Sequence, residues 1–170
     1  MSLSTLEQII QKTLAFAEDS CSILFQGGEP TLAGLDFFKS VIEFEKKWNI
    51  NHVNIQNSIQ TNGILIDDEW AKFLHDHNFL VGLSLDGTKE VHDACRKYPN
   101  HHGTFDRVLH TVELFNKYKV EYNILTVVTK HTVTHTREIY SFYKTMGFEW
   151  QQYIPCICLG AMLLRQISSL

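Results

Sequence analysis

With 170 residues, 44% of them hydrophobic, the chain has the material for one domain with a real core and the composition of a globular protein. A net charge of −4 and a pI near 6.1, with basic residues scattered among acids, exclude the basic face that nucleic-acid binding needs. No signal peptide opens the sequence and no apolar run reaches membrane-spanning length, so no membrane role is expected. The four cysteines at 21, 95, 156 and 158 are too irregular for a secreted disulfide framework, and the cytoplasm is the expected setting.

Residues 4–19 open with the capping-box pattern Ser4-x-x-Glu7 and place Leu6, Ile9, Ile10, Leu14 and Ala17 on one face, which predicts an amphipathic helix. Ser22 to Gln26 read as a strand. Its apolar run lacks alternation, which predicts burial on both faces of a parallel sheet. The strand stops at Gly27-Gly28, whose backbone freedom lets a ligand lie against the main chain and its N–H groups. Glu29 adds an acidic acceptor suited to an ammonium group, and Pro30 fixes the exit direction. Taken alone, these residues fit an ordinary strand-to-helix turn better than a ligand site.

A helix over 35–48 follows, marked by Phe38, Val41, Ile42 and Phe44. Strand 52–60 puts Val53, Ile55 and Ile59 on one face and Asn54, Gln56, Ser58 and Gln60 on the other, as a barrel with a polar ligand in its lumen would require. After a Thr61-Asn62-Gly63 turn, Asp67-Asp68-Glu69 start a helix with Trp70, Phe73, Leu74 and His77 as its buried stripe. Strand 79–85 ends at Asp86-Gly87, and residues 88–102 read as a loop carrying Arg96. Helix 104–118, strand 120–128, helix 135–146 closed by Gly147, and strand 148–154 complete the alternation. This order predicts an α/β parallel sheet or barrel with its ligand loops at the strand C-termini, where Gln26–Thr31 and Ser84–Gly87 share one rim. His131 and His135 stand four apart with no third ligand, so they are expected to be a surface pair, and no metal site is expected.

The segment Phe-Gln-Gly-Gly-Glu-Pro-Thr-Leu-Ala-Gly-Leu at 25–35 resembles the cofactor-binding segment of radical S-adenosylmethionine enzymes, closest to the anaerobic sulfatase-maturating branch. Residues 57–63, 79–87 and 117–128 resemble the same branch, and the likeness runs from about Cys21 to about Ile157. The resemblance implies a partial parallel (β/α) barrel. It also implies S-adenosylmethionine cleaved at a 4Fe-4S cluster to give a 5′-deoxyadenosyl radical, and a sulfatase-type protein or peptide substrate whose Cys or Ser is oxidised to formylglycine. Carried onto this sequence, it implies that Gly27, Gly28, Glu29 and Pro30 hold the cofactor's amino group, and that Ser84 and Arg96 bind its polar parts, Arg96 the carboxylate. Gln26 would face the substrate, and Ile157 the adenine. Read without the family, Ser84 is a small strand residue and Arg96 a surface salt bridge.

The family's Cys-x-x-x-Cys-x-x-Cys, three thiolates for a cluster, is missing, and Cys156-x-Cys158 has the wrong spacing to replace it. The expectation is therefore an incomplete barrel domain over 1–158, lacking its first strand, followed by an unrelated tail over 159–170. As an isolated chain it would have no catalytic residue of its own and be inactive, with an open strand edge that invites a complementing chain. The alternative is a non-catalytic binding or regulatory module that keeps only the scaffold.

Overall fold

The architecture is that of a computed structural model, which describes residues 1–156. Ile157 and the tail expected at 159–170 lie outside the described residues. Five parallel strands, β1 (Ser20–Phe25), β2 (Asn54–Thr61), β3 (Leu80–Ser84), β4 (Tyr122–Val128) and β5 (Gln151–Pro155), form one sheet in sequential order. Helices α1 (Leu3–Phe16), α2 (Leu35–Trp48), α3 (Asp68–Asp76), α4 (Lys89–Cys95), α5 (Phe105–Tyr118) and α6 (Thr136–Met146) lie before and between them, with α4 and α5 both between β3 and β4. This is the partial β/α barrel that the family resemblance implies, and it agrees with the parallel α/β order that the alternation predicts.

Strand β2 shows why the sheet has two unlike faces. Asn57, Ile59 and Thr61 are buried toward the helices, while Asn54 and Gln56 are exposed and Ser58 and Gln60 half-buried on the opposite side. The helix side holds the main core, built around Phe38, Ile59, Leu74, Phe79, Leu83 and Phe115. A second cluster joins Leu6, Ile10 and Leu14 of α1 to Cys21 and Val41. Buried Glu45 on α2 takes both of its hydrogen bonds, each 3.0 Å, from the Asn57 amide nitrogen. Burial pushes its carboxyl above the usual range, and the Asn57 amide opposes that shift.

Several expectations need correction. Ser2 caps α1, accepting from the Thr5 N–H at 3.2 Å, so the helix starts before the expected Ser4 box. Ile9 stays exposed, because the stripe of Leu6, Ile10 and Leu14 is enough to seat the helix. His77 is the C-cap of α3 and only half-buried, and Ala71 takes the expected fourth place in the stripe. Strand β1 is not buried on both faces: Cys21 is buried, but Leu24 is 53% exposed. The reason is its place at the sheet edge, where β2 is its single neighbour and the concave face is open. The expected loop over 88–102 contains α4, a short helix whose buried side chains are Val91 and His92.

Candidate functional site

The rim at the strand C-termini is where the chain's polar groups converge. Gln26, Gly27, Gly28 and Glu29 leave the end of β1 and meet Gln60, Thr61 and Asn62 at the end of β2 around a cavity of about 330 Å³. Ser84 from the end of β3 and Arg96 from the end of α4 close it. Six residues singled out in the sequence thus line one space. Pro30 does not: it begins a single 3-10 turn and faces a neighbouring groove. Gln60, Thr61 and Asn62 escaped the sequence reading as site residues, although Gln60 belongs to the polar face of β2.

The turn at Gly27 and Gly28 requires glycine. Their φ angles are +100° and +56°, and a Cβ on either would project into open space. Among the described residues no hydrogen bond engages the main-chain N–H or C=O of either glycine. Such groups need water or a ligand.

Glu29 behaves differently from the expectation of a free acceptor. Its Oε1 accepts from the Thr31 N–H at 3.1 Å and from the hydroxyls of Thr31 and Thr61 at 2.7 Å each. Its Oε2 accepts from the Asn62 N–H at 2.7 Å. The carboxylate therefore fastens the glycine turn to the end of β2, and four donors nearly exhaust its capacity. The groups left open to a ligand at this end are the glycine amides and carbonyls.

Opposite stands Arg96. Its Nε donates to Asp86 Oδ2 at 2.6 Å and its Nη2 to Oδ1 at 3.4 Å. The plainer reading of Arg96 as a salt bridge is thus half right, but the bridge is not on the surface: the Asp86 side chain is only 4% exposed. Of five guanidinium N–H groups two are spent, which leaves three for a ligand at the cavity. Asp86 Oδ1 also accepts the Val127 N–H at 2.8 Å, so one carboxylate joins β4, the β3 turn and the guanidinium. The Ser84 hydroxyl has no partner among the described residues and is free to join a ligand.

Behind Asp86 lies His92, fully buried, which the sequence reading passed over. Its Nδ1 accepts the Asp86 N–H at 3.1 Å and its Nε2 lies 3.0 Å from Thr104 Oγ1. Burial and the nearby Arg96 charge push the ring from its ordinary 6.5 down to about 4. An unfolded chain takes up a proton here below about pH 6.5, whereas the folded chain does so only near 4. Stability is therefore complete above the upper value and falls as the pH drops toward the lower one, by up to roughly 3 kcal/mol from this ring. Urea unfolding near pH 7 and near pH 5 should show that loss in the native chain. A His92→Asn variant, which has nothing to titrate there, should show a smaller one.

The described cysteines do not assemble. Cys21 is buried in β1, Cys95 is exposed at the end of α4, and Cys156 is exposed just past β5. No group of three or more His, Cys, Asp or Glu suited to a metal occurs among the described residues, and their donor set does not fit a 4Fe-4S cluster. His131 is exposed and His135 half-buried, their rings 4.8 Å apart. No helix among the described residues is long and apolar enough to cross a membrane.

Sequential parallel strands with amide, hydroxyl and guanidinium donors gathered at one rim define a β/α-barrel protein with an open polar cavity at its strand ends. The chain belongs to the Radical SAM superfamily, whose profile matches residues 2–143. It is 50% identical over 157 residues to the cysteine-type anaerobic sulfatase-maturating enzyme of Clostridium novyi, covering 92% of this chain and 42% of that protein. The serine-type enzyme of Klebsiella aerogenes is 34% identical over 161 residues, covering 93% and 40%. The solved structure of native anSMEcpe with bound AdoMet and Kp18Cys peptide superposes with a TM-score of 0.91 at 48% identity, covering 92% of this chain and 43% of that one. The chain thus spans about two fifths of the length of the relatives it matches.

Proposed function

We propose that this chain is the cofactor-holding part of an anaerobic sulfatase-maturating enzyme and binds S-adenosylmethionine in the cavity at the strand ends. The observation that carries the reading is the pairing of solvent-open glycine main-chain groups, with no protein partner among the described residues, on one wall with a half-spent guanidinium on the other. Carbonyls of the Gly27–Gly28 turn take the ammonium, while Arg96 and the Ser84 hydroxyl take the carboxylate. Glu29 holds the turn in place. Gln26, exposed at the outer lip, meets the substrate side. In this family the cofactor supplies the means of removing a hydrogen atom from a substrate. Here that substrate would be a Cys or Ser side chain of a sulfatase-type peptide, oxidised to formylglycine.

The described residues supply no seat for the cluster, so the reading is of a chain that binds the cofactor and does not turn it over unaided. The free edge of β1 supports a complementing segment. It adjoins an apolar groove of about 680 Å³ that shares Gln26 and Gly27 with the cavity, so a strand laid there would also wall the cofactor site. A non-catalytic binding module is the second reading, favoured by the same missing thiolates.

Thermal unfolding with and without S-adenosylmethionine tests the proposal. Ligand at a hundred times its dissociation constant should add about 2.7 kcal/mol of stability. No shift at millimolar ligand would overturn it. Anaerobic reconstitution with iron and sulfide tests what the two readings share: 5′-deoxyadenosine formed by the chain alone would contradict both.

A further inference from the structure

Arg96 is held at its guanidinium and at its main chain by groups that meet on one buried ring. At its tip, Asp86 takes two of its N–H groups, and the Asp86 N–H donates to His92 Nδ1 at 3.1 Å. A nitrogen that accepts carries no proton, so the neutral ring has its proton on Nε2 and donates to Thr104 Oγ1 at 3.0 Å. The Thr104 hydroxyl in turn donates to the Arg96 carbonyl at 3.2 Å, beside the Thr104 N–H at 3.3 Å on the same oxygen. The Arg96 N–H donates to the His92 carbonyl at 2.8 Å. Root and tip of the side chain are thus joined through one imidazole.

The local fold explains how Thr104 returns to that point. Residues 97–103 close on themselves through an antiparallel bridge between Lys97 and Gly103. Asp93 then accepts the Phe105 N–H at 2.9 Å and starts α5. Gly103 packs so closely on the Asp93 carboxylate that an added Cβ would lie 2.0 Å from it. The charged groups acting on His92 are Asp86, Asp93 and Arg96, and Phe105 packs edge-on against the ring with centroids 5.9 Å apart.

We propose that His92 is the positioning residue of Arg96: as a neutral donor–acceptor between Asp86 and Thr104, it fixes the guanidinium toward the Gly27–Ser84 cavity, where it reads a ligand carboxylate. This rests on the proposed S-adenosylmethionine site. It extends that site to two residues, His92 and Thr104, that do not line the cavity.

The test compares S-adenosylmethionine with its decarboxylated analogue by calorimetry, on the whole chain, in native, Thr104→Val, Thr104→Ser and His92→Asn forms. Thr104→Val should weaken S-adenosylmethionine roughly tenfold and leave the decarboxylated analogue unchanged, since only the carboxylate contact is disturbed. Thr104→Ser keeps the hydroxyl and should restore the difference; His92→Asn keeps one acceptor and should fall between. Equal weakening of both ligands, or no weakening, would overturn the proposal by making the ring merely structural. If the native chain binds neither ligand, the proposed function fails, and the Arg96 Nε–H resonance decides this inference by itself. A resonance that moves to the position of a free arginine in Thr104→Val upholds it, and one that stays put refutes it.

Discussion

Asp86→Ala is expected to lower the stability of the fold by about 3 kcal/mol, the low end of the cost of breaking a buried ion pair. The low end applies because Arg96, unlike Asp86, keeps about a quarter of its side chain in solvent. The substitution strands the Val127 N–H on β4 and releases the guanidinium that the carboxylate held. Asp86→Asn should cost less than alanine, since its oxygen still accepts from Val127 while its amide nitrogen faces a guanidinium with nothing to donate to. Urea unfolding of the three proteins measures this order. Ligand binding should be lost in both variants, because the three open N–H groups of Arg96 no longer point one way.

Glu29→Ala should weaken binding as well as stability. It removes the acceptor of four hydrogen bonds, and the donors left behind are one buried hydroxyl on Thr61, two groups of buried Thr31 and the Asn62 N–H. Half-exposure of the site limits the cost to roughly 2 kcal/mol, since water replaces part of what is lost. The glycine turn, cut loose from β2, should bind S-adenosylmethionine at least about tenfold more weakly. Glu29→Gln keeps the Thr31 and Thr61 contacts but turns an N–H toward that of Asn62, so it should lie between. Calorimetry beside thermal unfolding reads both quantities. An alanine variant that loses stability without losing affinity would show that the turn holds its shape alone.

What could be read in the sequence was what repeats. Helices 35–48 and 104–118 are long and strongly amphipathic, and they stand at Leu35–Trp48 and Phe105–Tyr118. The alternating face of β2 was legible for the same reason. Short elements were not: α4 has seven residues and two buried side chains, too few to show a period. Burial of β1 was misjudged because composition cannot tell a central strand from an edge strand. The convergence of Gln26–Glu29 with Ser84 followed from strand ends sharing a rim, and Arg96 was placed there by resemblance. The true partners of Glu29 and the whole role of His92 were out of reach. They depend on hydroxyls and amides from residues 31, 61, 62, 86 and 104, brought together only by tertiary folding.

The sequential order of the five strands bears on how the molecule forms. Every strand after β1 finds its mate in the βα unit made just before it, so no segment waits for a distant one to be synthesised. Parallel sheets are slow to form when their pairings are remote, and this arrangement keeps every loop to be closed short. A nascent chain can therefore add one unit after another as it leaves the ribosome, each resting on a platform already built.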